Sequence, residues 1–144
     1  MTTTDVIFAA FLQCETKAYL LGEGVTGTRS EVGGLQQHLY NRYKQAAAEW
    51  LKLKIQKDES YVERPSSRVR KQRSDVIAFE PLIESSELRA QPDAVYRTPS
   101  ELSDQGVMRT PVRFVRTEKL SRADKLLLAF DALAIHQVTG RSPA

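Results

Sequence analysis

Residues 74–119 set three short β-prone pieces between turns, and a long apolar helical pattern follows at once. The pieces are residues 76–79, 94–96 and 107–115. In the last, Val112 and Phe114 alternate against Arg113, the period-two pattern of a strand with one buried face. Pro81 and Pro92 bracket a segment where Leu82, Ile83 and Leu88 stand among acids. From Thr98 to Gly106 the chain carries Pro99, Ser100, Ser103, Asp104 and Gly106, which favour turns. Residues 60–69 read as a further strand broken by Pro65. Strands this short need a helix packed on them to be stable.

The helices are placed by spacing and caps. Thr2, Thr3 and Thr4 offer N-caps before Asp5, whose charge suits the positive end of a helix. Ile7, Phe11, Ala18 and the Leu12–Tyr19 pair keep helical spacing, which predicts one helix to about Leu21, stopped by Gly22 and Gly24. A second helix begins near Ser30 or Gly34 and runs to about Lys57, because Leu35, Leu39, Tyr43, Ala46, Trp50 and Leu53 recur by four and three. The last helix starts at Ser121 and ends at Gly140, with Pro143 beyond it. Its apolar residues, from Leu126 to Val138, cover most of its circumference and predict burial on more than one side. The order helix, helix, strands, helix predicts an α/β or α+β fold: a small mixed sheet of about three strands flanked by helices.

At 144 residues the chain is expected to be one domain with one core. Apolar and charged fractions of 41% and 27% are those of an ordinary globular protein. No apolar run reaches the roughly 18 residues of a membrane span, and no basic segment precedes an apolar one at the N-terminus. One cysteine, Cys14, excludes an internal disulfide and a self-contained four-cysteine metal site. An intracellular, cytoplasmic setting is expected. The stretch G-E-G-V-T-G-T at residues 22–28 lacks the G-K-[ST] of a phosphate loop and reads as a plain connection.

The net charge of +3 is concentrated. Arg64, Arg68, Arg70, Lys71 and Arg73 fall within ten residues, a run that attracts phosphate by counterion release or stands as a solvated loop. Asp93 enters one strand, and Glu118 and Lys119 follow another. An acid at a strand end with an acid and a lysine near the next is the wiring of a metal-dependent nuclease core.

Four stretches carry a resemblance to a known family. F-A-A-F-L-Q-C-E-T-K-A-Y-L at residues 8–20 resembles the N-terminal signature of RecB-like nucleases of the PD-(D/E)XK superfamily, which include CRISPR-associated exonucleases with an iron–sulfur cluster. G-L-Q-Q-H at residues 34–38 is similar to their first nuclease motif, and A-Q-P-D-A-V to the strand bearing their metal-binding aspartate. The stretch from Pro111 to Pro143 is similar to the strand and helix that follow. The resemblance implies a restriction-endonuclease-like core, DNA as substrate, a role in DNA repair, and a helicase or recombination protein as partner. It implies His38 and Asp93 as ligands of Mn2+ or Mg2+, with Asp93 catalytic; Glu118 and Lys119, adjacent and a few residues past the family's acid-x-lysine place, would serve by migration as third ligand and catalytic pair, and the run from Arg64 to Arg73 would by its charge lie on the phosphate backbone. Such a metal would activate water and offset charge on the scissile phosphate.

The chain departs from that pattern at several places. Where the family writes acid-x-lysine, this sequence has Arg113-Phe114-Val115, and an arginine cannot ligate a cation. Lys125 stands about where the family often has glutamine, and Thr110 where an acid is expected. Cys14 matches one cluster ligand, but the other three cysteines have no counterpart, so the iron–sulfur site is incomplete and Cys14 is expected to be free and buried. Relatives continue past G-R-x-P, so the chain reads as a version lacking the family's C-terminal part. Two functions follow: a divalent-metal-dependent DNA nuclease, or a catalytically inactive nuclease-like domain that binds nucleic acid or a DNA-processing partner. A binding protein that shares only the pattern is the third reading.

Overall fold

A computed structural model describes residues 2–28, 30–60, 77–99 and 107–140. The described residues form four helices and two three-stranded sheets, a mixed α/β architecture. The chain divides into two compact units, residues 1–27 with 74–144, and residues 28–73.

The first unit opens with β1 (Thr3–Thr4), α1 (Asp5–Phe11) and α2 (Glu15–Gly22). Thr4 caps α1, its hydroxyl accepting the Ile7 amide at 3.1 Å. The single N-terminal helix expected to Leu21 is in fact two. Cys14 is extended, at φ −163° and ψ 116°, and starts α2 without a side-chain cap. The Gln13 and Cys14 amides both return to the Ala10 carbonyl, which closes α1 tightly. The apolar spacing alone cannot reveal that turn, since each helix keeps it separately. Ala10 and Ala18 are the residues this pair buries.

The sheet expected as one is two. β2 (Ile77–Phe79), β5 (Ala94–Pro99) and β6 (Val107–Val112) form an antiparallel sheet in the order β2-β5-β6. Between β2 and β5 the chain makes β3 (Ile83–Glu84) and β4 (Leu88–Ala90), which pair with each other. β1 joins β4 in parallel, Thr3 opposite Leu88. Glu80 separates the two sheets, turning at φ +46°, a conformation that costs a non-glycine residue about 1–2 kcal/mol. Its amide donates to the Asp93 carbonyl at 3.0 Å, and the Gln91 side chain donates to its carbonyl, so the kink is held at both ends. The strand expected over residues 60–69 lies outside the described residues, apart from Ser60, the last residue of a helix. The expected third strand stops at Val112, before Phe114.

α4 (Arg122–Thr139) lies across both sheets. Ser121 starts it with a reciprocal cap: its hydroxyl accepts the Asp124 amide while the Asp124 carboxylate accepts the Ser121 amide. Gly140, at φ +69°, ends it with its amide on the His136 carbonyl. The helix buries one side, Phe130, Asp131, Ala134 and Ile135, whereas Leu133 is 49% exposed. Burial on several sides, expected from composition, does not occur. Phe130 and Ala134 pack with Ala90 against Phe8, Ile83 and Leu88, and the Phe8 and Phe130 rings stack at 4.9 Å. This core joins the N-terminal helix, the β1-β4-β3 sheet and the C-terminal helix.

The second unit contains α3 (Glu31–Ser60). The Ser30 hydroxyl accepts the Gly33 amide at its start. The stripe read from the sequence is present on the helix, but Leu35, Trp50 and Leu53 on it are more than half exposed.

Candidate functional site

The first unit holds a buried charge cluster built from both ends of the chain. Asp131 faces inward from α4 and is fully buried, on the side shared with Phe130, Ala134 and Ile135. Arg113 follows the last residue of β6 and reaches it as a fork: Nε donates to Asp131 Oδ2 at 2.6 Å and Nη2 to Oδ1 at 2.7 Å. Nη2 also donates to Asp5 Oδ2 at 2.9 Å, at the first residue of α1. The Gln91 amide donates to the same Asp5 oxygen at 3.4 Å. Two parallel bonds to one carboxylate are the geometry for which a guanidinium is shaped.

Asp93 enters the same region beside β5. It is 2% exposed, and its Oδ2 accepts the Phe114 amide at 2.7 Å. The aspartate is thereby fixed to the residue next to Arg113. Its charge, with that of Asp5, acts on Asp131. Burial pushes the Asp131 carboxyl up from the ordinary aspartate range, and the Arg113 guanidinium pulls it back down. Burial would lower the Arg113 pKa, but the bonds and charges of Asp131, then Asp5, outweigh it and hold the guanidinium more firmly charged than usual.

Of the site residues predicted from the sequence, only Asp93 lies in this cluster among the described residues. Glu118 and Lys119 are exposed on the bend between β6 and α4, where the Thr117 hydroxyl donates to the Lys119 carbonyl. Neither has a hydrogen bond or ion pair to Asp93. His38 is exposed on α3, in the second unit. Arg64, Arg68, Arg70, Lys71 and Arg73 lie outside the described residues. Cys14 is free but exposed, not buried as expected; it heads α2, a position with a solvent-facing side chain. Among the described residues no group of three or more His, Cys, Asp or Glu is arranged to hold a metal ion. None of the described helices is long and apolar enough to cross a membrane.

Sequence reasoning missed the pairing of Arg113 with Asp131 and Asp5. One signal was present. Asp131 interrupts an apolar run from Leu126 to Ile135 at a position that packs inward, and a buried carboxylate needs a partner. No protein-family model matches the chain, and no curated protein or solved structure matches it either.

Proposed function

We propose that this chain is a nuclease-like domain of the RecB type that its motifs resemble, one that binds nucleic acid without hydrolysing it. The observation that carries the reading is Arg113 bridging Asp131 and Asp5. It stands at the place where the resemblance calls for an acid. A divalent cation seeks several carboxylate oxygens left open to it. Here both Asp131 oxygens and one of Asp5 accept from a guanidinium, and Asp93 Oδ2 accepts from a backbone amide. That donor set suits a permanent organic cation and does not fit Mn2+ or Mg2+. The cluster then serves the fold by tying α1, β6 and α4 together.

The binding half of the proposal rests on charge. The five cations of residues 64–73 would grip phosphates without reading bases. The test uses end-labelled single- and double-stranded DNA with manganese, beside an Asp93→Ala control. The expected result is intact DNA and salt-sensitive binding by fluorescence anisotropy. Manganese-dependent cleavage that disappears in Asp93→Ala would overturn the proposal and establish the nuclease reading. Intact DNA that is not bound would move the function to docking on a DNA-processing protein.

A further inference from the structure

The face of the β2-β5-β6 sheet turned to the end of α4 holds a cavity of about 360 Å3. Its walls include Val95 from the sheet, Ile83 from β3, and Ile135 and Val138 from α4. Arg97 and Arg109 also line it, both exposed. They are directly opposite in the β5–β6 register, so both side chains leave the same face. Like charges opposed across two strands repel and destabilise the pairing. Such a pair is tolerated where a negative group sits between them.

Among the described residues neither guanidinium has an ion pair or hydrogen bond. The one carboxylate lining the cavity, Glu84, pairs with Arg89 at 3.4 Å. Three arginines against one glutamate leave an excess of two positive charges. The end of α4 contributes only about half a negative charge. An anion would balance that excess, and the apolar walls would suit a hydrocarbon body. The volume falls near the lower end of small-molecule sites, roughly 300–1,000 Å3.

We propose that this cavity binds a small amphipathic anion. A carboxylate or phosphate head lies between Arg97 and Arg109, and a short hydrocarbon body lies against Val95, Ile135 and Val138. The guanidinium fork suits either head. This site is separate from the Arg113 cluster and does not depend on the nucleic-acid reading.

The test titrates the full chain with hexyl phosphate, hexanoate, inorganic phosphate and hexanol, followed by calorimetry and by backbone amide chemical shifts. Hexyl phosphate or hexanoate should bind and shift the amides of Val95, Arg97, Arg109 and Ile135; the stronger of the two identifies the head. Inorganic phosphate and hexanol, each lacking one half of the ligand, should bind at least about tenfold more weakly. Arg97→Gln and Arg109→Gln should each weaken binding by about tenfold or more. Val138→Trp, at a half-exposed wall position, should block it by filling the space, with the circular dichroism spectrum unchanged. Absence of binding by both amphipathic anions would overturn the proposal. So would equal binding by inorganic phosphate, or undiminished binding in a folded variant carrying both Arg97→Gln and Arg109→Gln.

Discussion

Arg113 brings one positive charge to two carboxylates, one of which is wholly out of solvent. Losing the arginine alone leaves Asp131 buried with its countercharge gone. Arg113→Met should therefore lower stability by about 3–5 kcal/mol in urea unfolding. Pairing it with Asp131→Leu should recover most of that loss, because the second change removes the stranded charge. A double variant no better than the single one would show that Asp5 or the site's packing, not Asp131, sets the cost. At this scale the sequence was half legible. Asp93 stands out in the sequence as an acid entering a strand, and the fold buries it beside Arg113's neighbour. Asp131 and Arg113 were not paired, because 18 residues and a change of element separate them. Only the tertiary fold brings a strand end beneath the middle of a helix.

The elements divide in the same way. Caps are local chemistry and could be read directly: Thr4, Ser121 and Gly140 all act where they were expected. Ser121→Ala removes one of the two reciprocal bonds that start α4 and should cost about 1 kcal/mol, seen as a lower urea midpoint at unchanged m. Phe130→Ala should cost more, about 3–5 kcal/mol, since it removes the ring stacked on Phe8 and leaves a void beside Ala90 and Ala134. The turn between α1 and α2 and the split into two sheets were not legible. No glycine or proline marks the first. The second depends on Glu80, a residue with no special preference for positive φ, held there by bonds to Asp93 and Gln91. Strand pairing is likewise non-local: nothing in Thr3 announces Leu88 as its neighbour.

At the scale of the molecule, the proposed binding by the basic run makes a prediction about salt. If all five cations of residues 64–73 meet phosphates, the logarithm of affinity should fall against the logarithm of salt concentration with a slope of about −4.5 on duplex and about −3.5 on single strands. Replacing Arg68, Arg70 and Lys71 by alanine should reduce that slope by about 2 to 3. An unchanged slope would place the phosphate contacts elsewhere on the chain. The discontinuity of the first unit has a different consequence, one that concerns synthesis. Its opening helix stacks on Phe130, and its opening strand pairs with Leu88. A ribosome adding roughly 5–20 residues per second needs about 6–24 s to carry the growing chain from Phe8 to Phe130. Throughout that interval Phe8 lacks the ring it stacks on. The core of the first unit therefore closes only once α4 has been made, and until then Phe8 is left part-covered.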